Sequence, residues 1–110
     1  MNQKYEITDI VHPQYPWLHR IRALRDVRED VHAGDLGGFV QSEENLSQEG
    51  QCWVANNAVA AEESYISGDA IMWDYSCARG CAVISGKSRI GGEAIIEDHA
   101  IVTSGYVHGN

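Results

Sequence analysis

The chain has 110 residues, the size of one domain, and carries a formal net charge of −8. Its 16 acidic side chains against 8 basic ones argue against direct nucleic-acid binding, which needs a basic footprint. No segment approaches the roughly 18 apolar residues of a membrane span. The amino terminus lacks the apolar centre of a signal peptide. We therefore expect a cytoplasmic protein that does not bind membranes.

The amino-terminal third predicts short β-structure. Residues 4–10 alternate in polarity well enough for a strand, and Pro13 and Pro16 then interrupt the chain. Residues 17–28 fit two structures: a helix with an apolar stripe, or a strand whose arginines face solvent. Three glycines within residues 34–38 mark the transition to the next segment.

Acidic residues are concentrated between residues 34 and 74. Residues 1–33 hold five acidic and five basic side chains, and residues 75–110 hold three of each. The segment between them has no basic residue and eight acidic ones: Asp35, Glu43, Glu44, Glu49, Glu62, Glu63, Asp69 and Asp74. This segment is a candidate surface for a basic protein partner, and a merely solubilising surface is the alternative.

From Cys52 to Gly105 the sequence repeats every six residues. The first place of each hexad is small in all nine: Cys52, Ala58, Ser64, Ala70, Ser76, Ala82, Ser88, Ala94 and Ala100. The third place is apolar in all nine: Val54, Ala60, Ile66, Met72, Ala78, Ile84, Ile90, Ile96 and Val102. These two places face the same way along an extended strand. The fifth place holds Gly, Asn or Asp in seven hexads, which suits a corner.

Strands separated by regular corners predict a solenoid with flat sides. Residues 18 apart would then stack in three inward columns: Val54, Met72 and Ile90; Ile66, Ile84 and Val102; Ala60, Ala78 and Ile96. The same spacing places Arg79 beside Glu97, an opposite-charge pair on adjacent rungs.

This rhythm resembles the hexapeptide-repeat family, which winds three hexads into one triangular coil of a left-handed parallel β-helix. The block RIRALRDV, followed by AGDLGGFVQSEENLSQEG and CWV, is similar to a subgroup of short phage, prophage and bacterial reading frames. That resemblance implies a small β cap and favours a strand for residues 18–27.

We therefore predict an all-β fold, a left-handed parallel β-helix of three to four coils with an amino-terminal β cap. Residues 1–33 would form the cap and residues 52–110 the hexapeptide-repeat β-helix. Residues 34–51 would be a lead-in segment or an irregular first coil, with Leu36, Val40 and Leu46 inside it.

The best-known members of the resembled family are acyltransferases that use acetyl-CoA or related thioesters. They are usually trimers, with sites between subunits and a histidine as general base. The candidate base here is His99, next to Asp98 at a predicted corner, and His108, at an inward place, is another. The uninterrupted hexads argue against an inserted catalytic loop. The three cysteines and the remaining histidines lack metal-ligand spacing, so we expect no metal and no cofactor.

Binding has more support in the pattern, because the outward second hexad place is apolar or aromatic in nine cases of ten. The ten residues are Trp53, Val59, Tyr65, Ile71, Cys77, Val83, Arg89, Ile95, Ile101 and Val107. Exposed apolar patches of this extent usually mark interfaces. We therefore expect self-association as a dimer or trimer, or a protein partner.

The sequence thus favours a non-catalytic protein-binding module encoded by a phage or prophage. The predicted binding residues are Trp53, Tyr65, Ile71, Trp73, Glu43, Glu44, Glu62, Glu63, Asp69 and Asp74. Its partner would be a basic, nucleic-acid-handling protein in the bacterial host cytoplasm, such as a defence nuclease that it inhibits. The alternatives are a minimal acyltransferase that uses an acyl-CoA, with His99 as base, and a structural spacer.

Overall fold

The computed structural model describes residues 3–109. Within them the chain forms short β-strands and one 3-10 helix, Glu43–Asn45. The strands are β1 (Tyr5–Val11), β2 (His19–Ala23), β3 (Leu36–Val40), β4 (Trp53–Val54), β5 (Val59–Ala60), β6 (Tyr65–Ile66), β7 (Ile71–Met72), β8 (Cys77–Ala78), β9 (Val83–Ile84), β10 (Arg89–Gly92), β11 (Ile95–Ile96), β12 (Ile101–Val102) and β13 (Tyr106–Gly109). The described residues contain no helix long and apolar enough to cross a membrane.

Three parallel sheets form the three sides of a solenoid of about four turns. We call β3, β5, β8 and β11 the cap face, because β1 and β2 extend this sheet in antiparallel fashion. The tryptophan face consists of β4, β7, β10 and β13, and the open face of β6, β9 and β12. Residues 18 apart pair on successive rungs, as Trp53 with Ile71 and Tyr65 with Val83. The predicted parallel solenoid with a β cap is confirmed.

The solenoid interior contains the predicted columns. Eight of their nine side chains are buried, and Val102, on the last turn, is half-buried. Small residues occupy the inner corners, where the chain turns and the residue is fully buried, as at Ala58, Ala70 and Ala82. Serines at equivalent corners satisfy their hydroxyls locally: the Ser88 Oγ donates to the Ser85 carbonyl oxygen at 2.6 Å. Each buried aliphatic side chain contributes about 1.5–3 kcal/mol of transfer free energy.

The regular secondary structure of the cap consists of the strands β1 and β2, and residues 17–28 contain a strand and no helix. The expected strand at residues 18–27 is shorter than predicted, spanning His19–Ala23. In it Ile21 and Ala23 are buried while Arg22 is exposed, the alternation of a strand with one solvated face. Pairing of β2 with β3 then continues the cap face beyond the coils.

Two buried polar side chains attach the cap to the first coil. The Lys4 ammonium is fully buried and donates to the carbonyl oxygens of Cys52, at 2.9 Å, and Glu49, at 3.1 Å. Burial lowers the pKa of Lys4. The Tyr5 hydroxyl donates to the Leu46 carbonyl oxygen at 2.6 Å. These bonds reach more than 40 residues along the chain, so they hold the cap in place.

The first coil is irregular, and one of its predicted inward residues is not inside. Val40 and Leu46 are fully buried, whereas Leu36 is 49% exposed. The prediction for Leu36 is wrong because the pairing of β2 with β3 shifts between Arg20 and Arg22, which changes the facing at the start of β3. Asn45 anchors this coil: its side-chain amide donates to the carbonyl oxygens of Glu62 and Ser64.

The last turn is one residue shorter than the others. Tyr106 pairs with Arg89 and Val107 with Ile90, a spacing of 17 residues. The outward placement of Val107 and the inward placement of His108 are therefore wrong. Tyr106 is 62% exposed, Val107 packs against the interior and His108 is exposed, because a shift by one residue moves every side chain of a strand to the opposite face.

Candidate functional site

The tryptophan face is covered near the cap. Trp53 and Ile71 are 1% and 8% exposed, and the ring of Tyr5 meets that of Trp53 edge-on at 6.4 Å. The exposure predicted for Trp53 and Ile71 is therefore wrong, because the cap packs over the first rungs. Trp73 is half-buried and contacts Tyr106.

The cap face is half covered. Residues 12–18 lie over its first rungs, where Leu18, Phe39 and Val59 form a small apolar cluster. Cys77 is half-buried against this cluster, and burial raises the pKa of its thiol. On the last rung Ile95 is 51% exposed. This face thus ends in an uncovered apolar strip.

The open face carries no covering segment among the described residues. Tyr65 is 40% exposed, Val83 is half-buried and Ile101 is 70% exposed, all on consecutive rungs. An isolated bridge from Leu46 to Ile66 extends this side towards the cap. The exposure of Tyr65 agrees with its predicted outward place.

His99 lies at the corner between β11 and β12, where the cap face meets the open face. Its side chain is exposed. Ile95 and Ile101, the two uncovered apolar ends of those faces, lie on either side of it in the chain. One chain therefore supplies a candidate base and apolar flanks, but no enclosing wall.

Sequence reasoning missed Cys81, which lies one rung from His99. The backbone N–H of Cys81 donates to the Asp98 carbonyl oxygen at 2.7 Å, so the two corners stack. Glu63 occupies the same place one rung earlier, where its N–H donates to the Gly80 carbonyl oxygen. The 18-residue spacing from Glu63 through Cys81 to His99 was the available signal. A half-buried thiol and an exposed imidazole therefore share one ridge.

The predicted acidic residues are all exposed, but they do not form one flank. Glu62 and Glu63 lie at the corner between the cap and open faces. The 3-10 helix that carries Glu43 and Glu44 lies beside this corner, because its last residue, Asn45, donates a hydrogen bond to the Glu62 carbonyl oxygen. We call these four residues the glutamate cluster. The other two lie at different corners, Asp69 between β6 and β7 and Asp74 between β7 and β8. Within residues 3–109, His, Cys, Asp and Glu side chains form no group of three that could hold a metal ion.

Comparison with known proteins adds one relative. The chain is 36% identical over 80 residues to the Escherichia coli (strain K12) protein named "Uncharacterized acetyltransferase YdcK". The match covers 72% of this chain and 19% of that protein, so the chain spans about a fifth of its relative's length. No family model matches the chain. The chain is thus distantly similar to a hexapeptide-repeat acetyltransferase, and this comparison gives no support to the resemblance to phage reading frames.

Proposed function

We propose that this solenoid transfers an acyl group from a thioester such as acetyl-CoA to a hydroxyl or amine acceptor. The proposal replaces the non-catalytic module favoured by the sequence with its alternative, because the matched relative bears an acetyltransferase name. The site would form between copies of the chain, with His99 as general base.

The position of His99 is the structural observation that carries this proposal. It stands on a ridge flanked by Ile95 and Ile101, which are 51% and 70% exposed. A second copy packed against either apolar strip would bury that strip and bring its own surface over the imidazole. Closure by a neighbour would exclude water from the acyl donor, which one chain alone does not do.

The chemistry requires a proton acceptor beside the reacting atoms. His99 would take the proton from the acceptor as its oxygen or nitrogen attacks the thioester carbonyl carbon. The tetrahedral intermediate then expels the thiolate, which recovers that proton from the imidazolium. Ile95, which is 51% exposed beside Cys77 on the previous rung, would offer an apolar contact to the acyl end of the thioester.

The test is the release of free thiol from acetyl-CoA in the presence of a panel of sugar, amino-acid and amine acceptors. His99→Ala should lower the rate by about 10²-fold or more, the usual contribution of a general base. His108→Ala is the matched control, since His108 is also exposed but lies at the end of the tryptophan face. Unchanged release in His99→Ala, or no acetyl-CoA turnover with any acceptor, contradicts the proposal.

The glutamate cluster supports a second candidate function, a protein-binding module of phage origin that occupies a basic surface. The cluster adjoins Tyr65 on the open face, which combines exposed negative charge with an exposed aromatic ring, as interfaces often do. The partner would be a nucleic-acid-handling host protein such as a defence nuclease. Electrostatic attraction of this kind weakens as salt is added.

Inhibition of purified, basic defence nucleases tests this second candidate. Replacing Glu43, Glu44 and Glu63 by lysine should abolish inhibition, whereas lysine at the exposed residues Asp9, Glu29 and Glu93 should not. The two triple variants change the net charge equally. Equal loss in both, or no inhibition by the unaltered chain, removes this candidate.

A further inference from the structure

A cleft of about 520 Å³ lies between the cap and the tryptophan face, away from His99. Its apolar side is formed by Trp53, Ile71 and Trp73, and its cap side by Asp30, Val31 and Asp35. The cover that buries Trp53 and Ile71 thus leaves a recess beside them instead of a flat interface. Small-molecule sites are recesses of this size, with an apolar lining and a few polar groups.

Arg89 is the cation of this cleft. It occupies the outward place on the rung after Ile71, and its side chain is exposed. Within residues 3–109, Arg22, Arg28 and Arg79 pair with carboxylates, whereas Arg89, like Arg20 and Arg25, takes part in no salt bridge. An unpaired guanidinium at the edge of an aromatic recess can receive a carboxylate through two parallel hydrogen bonds.

Carboxylates stand on the opposite wall. The Asp30 side chain is 75% exposed and forms an ion pair with Arg28, whose Nε lies 3.5 Å from the Asp30 Oδ1, so its other oxygen is left for a ligand. Asp35 accepts the N–H of His32 through Oδ2, which leaves its other oxygen for a further donor. Asp30 and Arg89 also line a smaller groove that adjoins the cleft. Among the residues that the structure describes, the recess is thus lined by an apolar side, by Arg89, which takes part in no salt bridge, and by two carboxylates, of which Asp30 is also paired with Arg28.

We propose that this cleft binds a free α-amino acid with an aromatic or large apolar side chain. Arg89 would hold the carboxylate, Asp30 and Asp35 the ammonium group, and Trp73 and Ile71 the side chain. The two aspartates would repel a simple anion, and Arg89 would repel a simple cation. Only a zwitterion therefore complements both signs of charge in the cleft. The proposal does not depend on acyl transfer, because the cleft and His99 lie on different parts of the solenoid.

Nuclear magnetic resonance of the indole N–H groups tests the site directly. The chain has three tryptophans: Trp53 and Trp73 line the cleft, whereas Trp17 is 55% exposed on the cap face. Titration with L-phenylalanine should shift the Trp53 and Trp73 signals saturably and leave the Trp17 signal in place. Phenethylamine, without the carboxylate, and 3-phenylpropionate, without the ammonium, should each bind at least about tenfold more weakly.

Variants test which charged residue of the cleft binds which charged group of the ligand. Arg89→Gln should weaken L-phenylalanine binding at least about tenfold and should not weaken the binding of phenethylamine, which loses only a repelling charge. Arg25→Gln, an exposed arginine outside the cleft lining, is the matched control and should change neither. The proposal is overturned if L-phenylalanine causes no saturable shift, if either truncated probe binds as tightly, or if Arg89→Gln binds like the unaltered chain.

Discussion

The indole of Trp73 lies against the α-carbon of Gly91 on the next rung, so closely that a β-carbon at residue 91 would overlap the ring. The same indole meets the ring of Tyr106 edge-on, with centroids 5.6 Å apart and planes at 86°. Trp73 therefore joins the last two rungs of the tryptophan face. The contact exists because residue 91 has no side chain.

Gly91→Ala should lower the free energy of unfolding by about 1–3 kcal/mol, the usual cost of adding a methyl group to a packed site. Urea unfolding measures it. In a Trp73→Ala background the same substitution should cost much less, because the obstructing ring is gone. An equal cost in both backgrounds would show that Trp73 is not the cause.

Two isoleucines on adjacent rungs differ in whether their side chains face the interior of the solenoid or the solvent. Ile84 is fully buried and Ile101 is 70% exposed. Ile84→Ala should lower the free energy of unfolding by about 2–5 kcal/mol through lost contacts and a cavity. Ile101→Ala should change it by less than about 0.5 kcal/mol in the single chain. Comparable losses would mean that the hexad places do not divide as the structure has them.

Because the Tyr5 hydroxyl is buried, we expect the free energy of unfolding to depend on pH in the alkaline range. Burial raises the pKa of its hydroxyl, with a further contribution from the Glu43 carboxylate. The unfolded chain releases this proton near pH 10 while the folded chain retains it. The residue's contribution is therefore complete below about pH 10 and declines as the pH rises further.

Tyr5→Phe tests this dependence. At neutral pH it should cost about 1–3 kcal/mol of unfolding free energy, because the Leu46 carbonyl loses its buried donor. The difference from the unaltered chain should shrink above about pH 10. Tyr75→Phe, at a residue 68% exposed, is the control and should change little at any pH. A Tyr5→Phe difference that stays constant with pH is the contrary result.

The repeat predicts the coils well because every hexad has the same local pattern of inward, outward and corner residues. Alternation along the strand and a small residue at the inner corner place Ile66, Ile84 and Val102 in one column. The ion pair of Arg79 with Glu97, at 2.8 Å, follows from the same 18-residue spacing. The facing of Leu36 and Val107 escaped prediction because each depends on a one-residue irregularity outside the regular hexads.

The candidate site was less predictable, because it depends on what covers each face. Nothing in the hexads distinguishes Trp53, which the cap buries, from Ile101, which nothing in residues 3–109 covers. The cap also creates the recess beside Arg89, far from it in sequence. His99 was found as a histidine next to an aspartate, while its neighbour Cys81 becomes apparent only when rungs are compared.

The mass of the active species tests the proposed function most directly, because His99 lacks an enclosing wall in one chain. Sedimentation of the chain under conditions in which it releases thiol from acetyl-CoA should give a multiple of 12.1 kDa. Replacing Ile95 and Ile101 together by aspartate should give the mass of a single chain and abolish thiol release. A single unaltered chain of 12.1 kDa that retains full activity would contradict a site built between copies.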